Sequence, residues 1–118
     1  SVNTLGQIAA QAALADDSGH IERSRVMVRQ AREFLAPVFA DLDLPTIGGE
    51  GNYLMVKVPI NDMLMYRRLM RKGFMIRSMT GFRFPGWIRV SLRETEVMAQ
   101  FAEAFTSEIR MLRQGEVG

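Results

Sequence analysis

The sequence predicts an α+β fold, a small, mostly antiparallel sheet covered by helices, and three observations carry that expectation. Apolar residues recur at alternating spacings of three and four from Ile21 and again from Met98, the period of an amphipathic helix. Three short apolar runs, Tyr53–Val58, Phe74–Arg77 and Trp87–Leu92, are bounded by Gly, Pro or turn residues and read as strands. The segments follow the order helix, helix, strand, helix, strand, strand, helix, which suits one layer of helices on one sheet. At 118 residues and 13.3 kDa the chain is the size of one domain, 1–118. Its 47% hydrophobic and 24% charged residues match globular usage, and the disordered class does not fit.

Thr4-Leu5-Gly6-Gln7 reads as a capping box that opens an alanine-rich helix to about Ala15. Asp16-Asp17-Ser18-Gly19 is expected to stop that helix and cap the next. The second helix carries Ile21, Ser24, Val28, Ala31, Leu35, Val38 and Leu42 on one side, and Pro37 within it predicts a kink or an early end. Leu44–Ile47 is a short extended piece, and Gly48-Gly49-Glu50-Gly51 a flexible turn into the strand from Tyr53, which Pro59 ends. Asn61 caps a helix whose expected apolar residues are Met63, Tyr66, Leu69 and Met70, with Gly73 as its C-terminal glycine. The last helix runs from Thr95 to Arg113, with Met98, Phe101, Phe105, Ile109 and Leu112 inward and Gly115 beyond its end. The nine methionines, including Met63, Met65, Met70, Met75 and Met79, fall at spacings that suit core filling.

Composition narrows the function. Fifteen Lys and Arg against thirteen Asp and Glu leave a net charge of +2, too small a surplus to argue for nucleic acid. Lys72-Gly73-Phe74 opens like an RNA-recognition submotif, but Met75, Ile76, Arg77 and Met79 replace its stacking aromatics. The glycine turn at 48–51 lacks the lysine and hydroxyl of a phosphate loop. Zero cysteines and a single histidine, His20, exclude thiolate metal sites, two-histidine ligand sets and His-paired triads. With no run of 18 apolar residues and no signal sequence, no membrane partner is expected and a cytoplasmic location is. The chain begins Ser1-Val2-Asn3 without an initiator methionine, which suggests a processed product or a piece of something longer.

Two arginines stand out. Alternation places Trp87, Arg89 and Ser91 on one face of the last strand and Ile88, Val90 and Leu92 on the other, so Arg89 points away from the core. By the same count Arg77 lies with Met75, opposite Phe74 and Ile76. A guanidinium is costly to bury unpaired and is charged at any working pH. Two of them flanking the loop Ser78–Gly86, which also carries Phe82, Arg83 and Phe84, suggest an anion site, with solvated charge or a structural ion pair as the plain alternative.

The stretches HIERSRVMVRQAREFLAPVFADL, GNYLMVKVP and RRLMRKGFMIRSMTGFRFPGWIRVSL resemble the C-terminal small domain of fold type I aminotransferases, most closely the histidinol-phosphate aminotransferase branch. The resemblance runs from about Val2 to about Arg113, and its most specific part is GFMIR, a loop, then FPGWIRVSL. It implies that Arg89 binds the anionic end of the substrate, a carboxylate or the phosphate of histidinol phosphate, and that Arg77 assists. It also implies pyridoxal phosphate as cofactor, held by a large domain absent from this chain, so that no catalytic or cofactor-binding residue lies here and the chain alone is inactive. A homodimer acting on an amino acid or a phosphorylated amino alcohol, with 2-oxoglutarate as acceptor, is expected for the whole enzyme. After the last strand the family usually has glycine-threonine, whereas Arg93-Glu94-Thr95 stands here, which leaves a related substrate or a threonine-phosphate decarboxylase-like member open. The alternatives from other classes are a free-standing anion-sensing domain and a dimerisation module exposing Trp87 and Phe84.

Overall fold

The computed structural model describes residues 2–48, 51–74 and 76–117, with side chains described over 19–48, 51–74 and 76–115. Three helices, α1 (Val2–Asp41), α2 (Asp62–Arg71) and α3 (Thr95–Val117), accompany four strands, β1 (Thr46–Gly48), β2 (Tyr53–Lys57), β3 (Ile76–Ser78) and β4 (Trp87–Ser91). The strands lie in the order β1-β2-β4-β3 with every neighbour antiparallel, so the three-residue strands β1 and β3 form the two borders. This is the α+β arrangement expected from the sequence.

One continuous core joins all the helices to one face of the sheet. Leu54 and Val56 of β2 and Ile88 and Val90 of β4 meet Ala31, Leu35 and Phe39 of α1, Met65 and Leu69 of α2, and Phe101, Phe105 and Ile109 of α3. Phe105 meets Phe39 edge-on at 5.3 Å and stacks on Phe101 at 5.4 Å, geometries that aromatic quadrupoles favour. Each such large apolar side chain contributes roughly 1.5–3 kcal/mol through burial.

Helix α2 shows local signals at both ends. The Asn61 side chain accepts from the N–H groups of Met63 (2.9 Å) and Leu64 (3.3 Å). At the other end the Gly73 N–H donates to the Met70 carbonyl (2.9 Å) and the Phe74 N–H to that of Leu69 (3.1 Å), with Gly73 at φ 91°, a left-handed glycine cap.

Several expectations need correction. The break at Asp16–Gly19 is absent, because α1 is one helix from Val2 to Asp41; a glycine inside a helix costs only about 1 kcal/mol, which continuing backbone bonds offset. The capping box at Thr4–Gln7 lies outside the described side chains. Nor does the helix end early at Pro37, which is exposed where the carbonyl left without a donor can meet water. Met63 and Met70 are exposed, because α2 buries the stripe Asp62, Met65 and Leu69 instead. Met65 and Met79 do fill buried positions, and Met75 lies outside the described residues. Strand β3 starts at Ile76, beyond Phe74, and α3 continues past Gly115.

Candidate functional site

The antiparallel register brings the two arginines together. Arg77 of β3 is the direct cross-strand partner of Arg89 of β4, Arg89 is also opposite Met55 of β2, and Met55 is opposite Ile47 of β1. Ile47, Met55, Arg89 and Arg77 therefore form one row across the sheet face away from the helices. Tyr53 and Ser91 pair on one side of that row, Lys57 and Trp87 on the other. The Arg89 guanidinium lies 5.1 Å from the centre of the Tyr53 ring, a cation–π contact. Phe84 meets Trp87 edge-on at 6.3 Å, which lays part of the β3–β4 loop against this face.

Arg77 is exposed and Arg89 half-buried. Among the described residues the ion pairs are Arg68–Glu108, Lys72–Glu108 and Arg93–Glu94, and neither Arg77 nor Arg89 takes part. Like charges directly opposite on neighbouring strands repel, so the pair is a standing electrostatic cost that an anion between them would reverse. Both stand on the sheet face away from the helices; two clefts, between α1 and Glu94–Glu96 and between α1 and Gly51–Asn52, are lined by other residues.

Sequence reasoning missed the residue that shapes this site. Asp62, the first residue of α2, is only 1% exposed. Its carboxylate accepts from the Ser78 hydroxyl, the Thr80 N–H (3.1 Å), the Thr80 hydroxyl (2.7 Å) and the Gly86 N–H (3.0 Å). Burial alone would raise this carboxyl, but the hydrogen bonds from Ser78, Gly86 and Thr80 outweigh it and lower the pKa to about 2. Ser78 ends β3 and Gly86 precedes β4, so one carboxylate fastens both ends of the loop between the arginines. The Gly86 carbonyl also accepts from the Val58 N–H (2.8 Å), and Gly86 at φ 89° takes a conformation that suits only glycine well. Asp62 reads locally as a helix-start acid, and its partners lie 16 to 24 residues away, so nothing nearby in sequence marks its role.

Further contacts tie together the elements on the other side of the sheet. Arg32 of α1 donates to the Gly51 carbonyl, and the Leu92 N–H donates to that of Asn52 (2.8 Å), fixing the approach to Tyr53. Glu108 of α3, 4% exposed, takes Arg68 Nε at 2.7 Å and Lys72 Nζ at 3.0 Å, joining α3 to α2. Burial would raise this carboxyl as well, but Lys72 and Arg68 hold it below its ordinary value.

The family model "Aminotransferase class I and II" matches residues 1–105. The chain belongs to that family. It is 37% identical over 91 residues to a histidinol-phosphate aminotransferase of Caldicellulosiruptor saccharolyticus, covering 77% of this chain and 25% of the relative. To histidinol-phosphate aminotransferase 1 of Nitrosococcus oceani it is 32% identical over 113 residues, covering 96% of this chain and 30% of the relative. The chain thus spans between a quarter and a third of the length of these curated relatives. Among solved structures, the histidinol-phosphate aminotransferase of Clostridium acetobutylicum shares the fold with a TM-score of 0.70 at 15% identity, over 80% of this chain and 30% of that one. The aspartate aminotransferase of Thermotoga maritima does so at 0.63 and 18%, over 71% and 23%.

The family generally uses pyridoxal phosphate, is generally homodimeric and acts on small molecules. The residues described here do not fit the lysine site such a cofactor needs. Of the two lysines, Lys72 is held by Glu108, and Lys57 is exposed at the end of β2. Among the described residues no helix is long and apolar enough to cross a membrane, and no cluster of candidate metal ligands occurs.

Proposed function

We propose that these residues are the small domain of an aminotransferase, in which Arg89 and Arg77 hold the anionic end of the substrate. The full enzyme transfers an amino group between histidinol phosphate, or a related amino acid, and 2-oxoglutarate. Pyridoxal phosphate, which supplies the amino-transfer chemistry, is held by a large domain outside these residues, and the whole enzyme is a cytoplasmic homodimer. The observation that supports this reading is the direct opposition of Arg77 and Arg89 with no acid paired to either among the described residues. Two planar forks side by side can each give a carboxylate or phosphate two parallel hydrogen bonds. Tyr53 restrains the Arg89 fork from below, and the open face leaves both forks accessible to a substrate arriving from the missing wall of the cleft.

A charged hydrogen bond is worth roughly 1.5–3 kcal/mol, so Arg89→Ala in the full enzyme lowers kcat/KM by about one to a few powers of ten. Arg77→Ala, at the more exposed position, costs less. Steady-state kinetics on both variants measures this, and unchanged parameters for Arg89→Ala remove the anchoring role.

A further inference from the structure

Strand β3 has few backbone bonds to hold it where it is, although its Ile76 packs into the core. It is three residues long, it borders the sheet, its one strand partner is β4, and its central residue Arg77 faces a like charge on that strand. The buried Ile76 fixes which face of β3 points outward, while the repulsion across the ladder acts against the pairing of Arg77 with Arg89. Behind the strand sits Asp62, one of two buried charged residues among the described side chains, the other being Glu108. Glu108 is balanced by two cations, whereas the donors to Asp62 are all neutral: Ser78, Thr80 and Gly86. A buried carboxylate without a cation is costly unless its acceptor capacity is filled, and these donors come from the end of β3, the turn after it and the residue before β4.

We infer that Asp62 is a positioning residue for the anion site: by gathering Ser78, Thr80 and Gly86 onto one carboxylate, it keeps β3 in the register that sets Arg77 opposite Arg89. This rests on the anchoring role proposed for the two arginines. Asp62 touches no substrate and acts through Arg77. Asparagine in its place keeps the shape but turns one acceptor atom into a donor that, in either orientation of the amide, faces the backbone N–H of Thr80 or of Gly86, so the hold on the loop ends is weakened.

The test uses the full enzyme loaded with its cofactor and histidinol phosphate as the varied substrate. Asp62→Asn raises KM by about tenfold, and by no more than Arg77→Ala does, while kcat moves by less than about threefold, and it weakens competitive inhibition by inorganic phosphate in parallel. Glu108→Gln, which breaks the comparably buried carboxylate between α2 and α3, lowers the melting temperature but leaves KM and phosphate inhibition in place. In the double variant Asp62→Asn/Arg77→Ala, KM rises no more than about twofold above that of Arg77→Ala alone, because the residue through which Asp62 acts is gone. Full additivity in that cycle, or a lowered melting temperature at unchanged KM, overturns the inference. If Arg89→Ala itself leaves kcat/KM unchanged, the anchoring reading falls, and the positioning role with it. Should Asp62→Asn not yield folded enzyme, Ser78→Ala removes one donor only and is judged by the same criteria, with an expected rise in KM of about three- to tenfold.

Discussion

Asp62 also sets an acid limit on stability. Its carboxyl ordinarily titrates at 3.8 and is lowered to about 2 in the fold. A folded-state pKa below the unfolded one stabilises the protein fully at pH values above 3.8, and that stability is lost as pH falls from 3.8 through about 2. The size follows from the shift, about 2 kcal/mol. Glu108 is shifted in the same direction and adds to the same acid loss, so a comparison of variants is needed to isolate Asp62. Urea unfolding of wild type and Asp62→Asn between about pH 6 and pH 2 is expected to show two free-energy curves that lie apart at the upper end and approach each other at the lower. Parallel curves would mean that folding does not lower the Asp62 carboxyl.

At the scale of elements, α2 carries its own instructions, and its glycine cap offers a clean measurement. A Cβ at Gly73 meets nothing within 4 Å, so Gly73→Ala costs only the strain of φ 91°, about 1–2 kcal/mol in thermal unfolding. Leu69→Ala, emptying a fully buried position on the same helix, costs more, about 2–5 kcal/mol. Elements with local signals were legible in the sequence: the Asn61 cap, the Gly73 stop, and the alternation that sends Ile88 and Val90 inward and Arg89 outward. The stop at Asp16–Gly19 misled, because cap residues state a local preference that a 40-residue helix overrides. The exposure of Met63 and Met70 was not legible either, since the helix is turned by the buried Asp62, whose partners come from a loop 16 to 24 residues on. Of the candidate site, the outward direction of Arg77 and Arg89 could be read from period two. Their direct opposition could not, because register is a property of two strands and the loop that joins them.

Taken whole, the described residues form a single helical layer on a sheet whose other face carries no helix, and neither of the two lysines sits in a site suited to holding a cofactor aldehyde. Lys72 serves as a strut between α2 and α3, and Lys57 is exposed at the end of β2. Mixed with pyridoxal phosphate and then desalted, the isolated chain is expected to emerge colourless; a retained yellow chromophore would contradict the assignment of the cofactor to another domain. The open face matters for the same reason. Ile47, Tyr53, Phe82 and Phe84 are all more than a third exposed around the arginine row, the kind of apolar surface that marks an interaction site.

The shortness of β1 and β3 has a consequence beyond the site. A lone sheet usually risks recruiting strands from other molecules along its unpaired rims, the route to fibrils. Here one rim is three residues ending in Gly48 and following Pro45, and the other is three residues with a permanent positive charge at its midpoint. Neither gives a newcomer a long, flat, neutral template, so the sheet is guarded against cross-β growth.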